Sequence, residues 1–102
     1  MSTAVVIKNG HARRIDPRTG ADKGSVGSSG AYAAASDGER IVVVYENGRA
    51  RRYDAINGAD VGSVGAMNAV SCSISGGVII IGYANGRSRR YDAHTGADKG
   101  SA

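Results

Sequence analysis

Tryptophan and phenylalanine are absent from this chain, and five tyrosines supply all of its aromatic area. Its core must therefore come from Val, Ile and Ala rather than large rings, and Val and Ile favour strands over helices. Cys72 is the only cysteine, which excludes an intrachain disulfide and a multi-cysteine metal site. A single proline, Pro17, stands against sixteen glycines, a balance that indicates many tight turns rather than disorder. No apolar run approaches the roughly 20 residues of a membrane span. The stretch 1–8 lacks a charged start followed by the apolar core of a signal peptide. The expectation is a soluble protein of a reducing compartment, cytoplasmic by default, with no membrane partner. Secretion by another route stays open.

The chain has 102 residues, of which 41% are hydrophobic, enough for one domain with a modest core. A net charge of +4, carried mainly by arginine, permits an anionic partner without requiring one. The dominant feature is repetition. NGHARRIDPRTG at 9–20 recurs as NGRARRYDAING at 47–58 and as NGRSRRYDAHTG at 85–96. Asn9, Asn47 and Asn85 are 38 residues apart, a period that marks stacked or ring-like repeats.

Within each period the chain alternates strand-like runs and turn signals. AVVI at 4–7 is cut off by Lys8-Asn9-Gly10, and Asn-Gly between two such runs predicts a type I′ hairpin turn. A second strand follows over 11–16, then the Pro17–Gly20 turn and a short polar strand over 21–26. AYAAAS at 31–36 and AVSCSI at 69–74 are strands of small side chains. IVVVY at 41–45 and VIIIGY at 78–83 repeat the first apolar strand. The strands at 49–54 and 59–64, and at 87–92 and 97–102, complete the units. No window shows helical spacing without a glycine break. The fold class is all-β, with about 2.7 repeats of four antiparallel strands. The units are an incomplete one at 1–26, then 27–64 and 65–102, eleven strands in a single repeat domain.

This repeat resembles a β-propeller blade of the tryptophan–aspartate (WD) repeat kind or the quinoprotein-like kind. The resemblance lies in Tyr53-Asp54 and Tyr91-Asp92, where that family has Trp-Asp, and in the Asn57-Gly58 and Thr95-Gly96 turns. Residues 70–77, VSCSISGG, sit where the innermost strand and its turn belong. The chain departs from the family in its period, which is shorter than the usual 40 to 45 or so. It also has Ile15 in the first copy and no Gly-His pair before the inner strand. The resemblance implies blade-like sheets and no particular activity. Propellers close with about four to eight blades, so three units, one short, imply a homo-oligomer, with a dimer and its six blades favoured. A prism or trefoil closed within one chain is the competing architecture.

The paired arginines Arg13-Arg14, Arg51-Arg52 and Arg89-Arg90 are the most unusual residues. Strand alternation sends the two members of each pair to opposite faces. Arg14, Arg52 and Arg90 fall where the family has Val or Ile, so each charge must be paired or reach water. Asp16, Asp54 and Asp92 lie two residues on, and Asp22, Asp60 and Asp98 lie across the turn on the next strand. One reading is an Arg–Asp ladder between neighbouring outer strands. The other is a ring of guanidinium groups, with Tyr53 and Tyr91 nearby, forming fork-shaped sites for phosphate or carboxylate. Asp16, Asp54 and Asp92 also suit the bonding of turn amides.

His11 and His94 have no second histidine close in sequence, and no Asp/Asn series ends in Glu, so no metal site is expected. Cys72 is expected to face a neighbouring blade as a small hydrophobe. Nothing resembles a catalytic constellation or a phosphate loop. The sequence thus points to a non-enzymatic, cofactor-free binding or scaffolding module that assembles with itself. An anion binder using the arginines, for a nucleotide, nucleic-acid backbone or acidic glycan, is one alternative. A lectin using Tyr45, Tyr83 and the Asn-Gly loops is another.

Overall fold

The structure, a computed structural model, describes residues 3–102; Met1 and Ser2, the start of the first predicted unit, lie outside the described residues. Eleven strands form three antiparallel sheets. The first holds β1 (Ala4–Lys8), β2 (His11–Ile15) and β3 (Asp22–Val26) in that order. The second holds β4 (Ala31–Ser36), β5 (Arg40–Tyr45), β6 (Ala50–Asp54) and β7 (Asp60–Val64). The third holds β8 (Ala69–Ser75), β9 (Val78–Tyr83), β10 (Ser88–Asp92) and β11 (Asp98–Ser101).

The sheets stack face to face, with the small-residue strand β4 touching β1 on one side and β8 on the other. Its Ala33, Ala34 and Ala35 let three backbones approach closely where the sheets converge. The strand β5 is apolar on both faces because both are covered. Ile41, Val43 and Tyr45 pack with Ala12 and Val26 of the first sheet. Val42 and Val44 pack with Ile79, Ile81 and Tyr91 of the third. Ile41 to Val44 are all fully buried, worth about 1.5–3 kcal/mol per side chain. The sheets therefore hold one another up rather than each carrying a core of its own. A prism or trefoil closed within one chain is not what forms.

Two details of register decide which way the side chains face, and the first departs from a strict 38-residue repeat. In the first sheet Asn9 (φ 53) and Gly10 (φ 76) make the expected two-residue turn, and Lys8 pairs with His11. In the second sheet the loop is three residues long, Glu46 to Gly48, closed by the Tyr45 amide donating to Arg49 O at 2.8 Å. Asn47 there is not left-handed; its Oδ1 accepts from the Arg49 amide instead. The one-residue change slides β1 against the repeat, so Val5, not Val6, faces the second sheet. A slip of one residue exchanges the two faces of a strand. Here it is tolerated because β1 is apolar at Ala4, Val5, Val6 and Ile7 alike.

The second detail is a bulge in each outer strand pair. Arg52 lies opposite Gly62 and Tyr53 opposite Asp60, with Val61 looped out between them. The other sheets shift register at Arg14/Ile15 and at Arg90/Tyr91 in the same way. This bulge decides where the arginines go.

Candidate functional site

Because of the bulge, Asp60 shares a face with Arg51 rather than with Arg52. Arg51 Nε donates to Asp60 at 2.8 Å, Arg13 to Asp22 at 2.6 Å and Arg89 to Asp98 at 2.9 Å. The predicted Arg–Asp ladder exists, but it belongs to Arg13, Arg51 and Arg89. These arginines hold Asp22, Asp60 and Asp98 below the usual carboxylate range, helped by the amides of Gly24, Gly62 and Gly100. All three pairs are at the surface, where such pairs contribute little each.

Arg14, Arg52 and Arg90 do something different. Opposite each stands a glycine, Gly24, Gly62 or Gly100, with no side chain to block it. The guanidinium folds over that glycine onto the preceding carbonyl: Arg14 to Lys23 O at 2.7 Å, Arg52 to Val61 O at 3.0 Å, Arg90 to Lys99 O at 2.9 Å. Arg14 and Arg52 then reach across to the neighbouring sheet. Arg14 Nη1 donates to Ile56 O at 2.6 Å, and Arg52 Nη1 donates to His94 O at 2.7 Å. Arg52 is only 6% exposed, and burial depresses its pKa, with Arg40 adding to the effect. Its charge is met by carbonyl dipoles rather than by a carboxylate.

The acceptor carbonyls lie in turns fixed by the aspartates. Asp54 Oδ1 accepts from the Ile56 amide at 2.7 Å and Asp92 Oδ1 from the His94 amide at 2.7 Å. Asp16 Oδ1 accepts from Arg18 N at 2.9 Å. The His94 and Thr95 amides hold Asp92 below its ordinary pKa. Asp54 makes only a 3.6 Å approach to Arg40 and is no partner of Arg52.

The tyrosines are structural as well. Tyr45 and Tyr53 hydroxyls meet at 2.5 Å, and Tyr83 and Tyr91 at 2.7 Å. Burial first, and the partner hydroxyl next, push Tyr53 and Tyr91 well above the usual phenol range. Each pair clasps the loop that leaves the sheet before it. A Cβ on Gly27 would overlap the Tyr45 hydroxyl, and one on Gly65 the Tyr83 hydroxyl. Ala66 N donates to the Tyr83 hydroxyl at 3.0 Å. Both hydroxyls are engaged in this way, but Tyr45 is buried whereas Tyr83 is half-buried and lines a surface groove. The guanidinium ring does not form, since Arg13, Arg51 and Arg89 are paired with aspartates, and Arg14 and Arg52 are spent between sheets.

What remains open is a repeated groove at the loop end of each joint. One lies between Ser28, Asn47, Arg49 and Met67, the other between Met67, Asn85, Arg87 and Ser101, each of about 690 Å³. Arg49 and Arg87 are exposed and sit at the same place in the repeat. Their signal in the sequence is the Asn-Gly-Arg run at 47–49 and again at 85–87. His11 is exposed, and His94 lies 3.9 Å from Glu39. Among the described residues no three His, Cys, Asp or Glu come together around a point. Cys72 packs against the cluster shared by the second and third sheets.

No protein-family model and no curated protein matches this chain. Solved structures do. The chain is similar to the crystal structure of BamB from Moraxella catarrhalis, with a TM-score of 0.77 and 25% identity over 99% of this chain and 33% of that one. The three sheets are β-propeller blades. The computationally designed Ika8 protein gives a TM-score of 0.76 at 16% identity, over 98% of this chain and 34% of that one. The chain spans about a third of the length of each. The bonds of Arg14 to Ile56 O and of Arg52 to His94 O are thus blade-to-blade joints, while the Arg–Asp and Tyr–Tyr pairs lie within single blades.

Proposed function

We propose that this chain is a non-catalytic binding or scaffolding module whose copies complete a propeller ring, two copies giving six blades. The observation behind this reading is the contrast between the blades. Val42 and Val44 of the middle blade are fully buried, whereas Ile80, the counterpart of Val42 on the third blade, is 37% exposed. Val6, on the outward face of the first blade, is 38% exposed. Apolar faces of stacked sheets left open in this way are an association surface. A reducing, cytoplasmic setting suits the free thiol of Cys72. Native mass spectrometry tests the ring: a species of twice the 10.4 kDa chain mass is expected. A monomer at every concentration refutes closure, and a trimer refutes the six-blade count.

A second reading is favoured by the repeated grooves. Exposed Arg49 and Arg87 in two equal cavities, on a chain of net charge +4, suit an anionic ligand such as a nucleotide, a nucleic-acid backbone or an acidic glycan. Binding of labelled single-stranded DNA that weakens steeply with salt is the expected behaviour. No binding at low salt would end that reading.

A further inference from the structure

The two joints inside the chain are copies of one device. In each, an arginine of the leading blade straddles two carbonyls, one in its own sheet and one in a turn of the next blade. The turn carbonyls are Ile56 O and His94 O, 38 residues apart. Beside each lies a glycine over which the guanidinium rests. A Cβ on Gly58 would come 3.4 Å from Arg14 Cζ, and one on Gly96 would come 3.1 Å from Arg52 Cζ. A carboxylate of the same turn adds attraction, Asp92 acting on Arg52.

Both halves of a third joint are present and unfilled. Arg90 holds Lys99 O with Nη2, and among the described residues its Nη1 has no acceptor in another blade. The side chain is exposed, where Arg52 is buried. The matching receptor stands on the first blade. Arg18 occupies the repeat position of Ile56 and His94, and Gly20 that of Gly58 and Gly96. Its turn is built like the others: Asp16 N donates to Ala21 O at 2.9 Å and Gly20 N to Asp16 O at 2.7 Å, against 2.8 Å for both equivalents at Asp54. Nothing lies within 4 Å of where a Gly20 side chain would be.

Resting on the ring reading above, we infer that a second copy of this chain docks head to tail, with Arg90 of one copy donating to the Arg18 carbonyl of the next across Gly20. The contact uses two different surfaces, so it propagates around a ring and closes where the rotation allows. Ile80, beside Arg90 on the same face through the Arg90–Ile80 pairing, then meets the outward face of β1, as Val42 meets the third blade. The joint between copies is leaner than the internal ones. Ile15 and Lys8 stand where the Tyr53 and Tyr45 clasp would be, and the described first sheet has no inner strand. Arg90 therefore carries a larger share of the contact than Arg14 or Arg52 does within the chain.

The test is sedimentation velocity across a concentration series for the unaltered chain, Arg90→Ala, Gly20→Asn and Arg89→Ala. Asn tolerates the left-handed backbone of Gly20 (φ 77), so that variant folds while its side chain fills the receptor. Losing a charged hydrogen bond at the contact should weaken association roughly 10- to 100-fold for Arg90→Ala and for Gly20→Asn. Arg89→Ala, on the opposite face, should change it by less than about threefold. Circular dichroism in dilute solution should show Arg90→Ala and Gly20→Asn folded. If the unaltered chain associates and both variants associate equally well, the arginine joint is refuted and the ring stands. If the unaltered chain never associates, the ring itself falls.

Discussion

Replacing Arg52 by Ala separates a structural arginine from a ligand-binding one. Arg52 is 6% exposed and makes two short bonds, 2.7 Å to His94 O and 3.0 Å to Val61 O, with longer ones to Ser63 O and Ala93 O at 3.4 Å. Hydrogen bonds from charged groups contribute about 1.5–3 kcal/mol each. Relief of the buried charge offsets part of that loss, so a net destabilisation of about 2–4 kcal/mol is expected. At about 4–8 °C per kcal/mol for a domain this size, the thermal midpoint falls by about 8–32 °C. Arg14 also spans two blades, at 2.6 and 2.7 Å. It is less buried, and its Nε is enclosed without a partner, so Arg14→Ala should cost about 1–3 kcal/mol. Arg90→Ala removes one exposed bond and should cost less than about 1 kcal/mol in dilute solution. Urea unfolding at sub-micromolar concentration, below association, reads all three. Equal costs for the three variants, or an unchanged Arg52→Ala that loses only ligand binding, would refute the joint.

The tyrosine clasp predicts that Gly65→Ala destabilises by about 2–4 kcal/mol through overlap and backbone strain. Gly76→Ala, in open space at φ 58, should cost only about 1–2 kcal/mol in the same urea assay. Asp22, Asp60 and Asp98 titrate below their ordinary value when folded. Their stabilisation should be complete above the unfolded carboxylate pKa of about 4 and lost as pH falls below it. Midpoints flat down to pH 2 would contradict this. Tyr53 and Tyr91 are raised above 10.0, so their contribution is full below pH 10 and declines as pH rises beyond it; absorbance at 295 nm during alkaline unfolding follows it. Burial pushes the Cys72 thiol up to about 11, so alkylation at pH 7.5 should be at least roughly tenfold slower folded than unfolded.

The blade count and the strand order were readable because the 38-residue period carries its turn signals with it, Asn-Gly at one end of each hairpin and Asp-x-x-x-Gly at the other. The strand faces were harder. β1 and β5 are apolar at every central position, so alternation could not fix their register, and the loop lengths at Asn9 and Asn47 decided it. The bulge has one sign in the sequence, an isolated glycine inside a polar strand at Gly24, Gly62 and Gly100. That bulge moves Asp60 from the Arg52 face to the Arg51 face, and so turns one arginine of each pair into a surface ion pair and the other into a blade connector. The partner of the connector lies 42 residues away in another sheet, a distance set by how twisted sheets stack and not by any local pattern. Sequence reasoning established that Arg52 needed a partner; only the stacking shows that the partner is backbone. Arg90 is informative because its sequence context matches that of Arg52 closely. Its chain segment folds the same way, with the guanidinium on Lys99 O as that of Arg52 lies on Val61 O, but among the described residues no further blade covers that face. On the ring reading proposed above, that face is where the next copy docks.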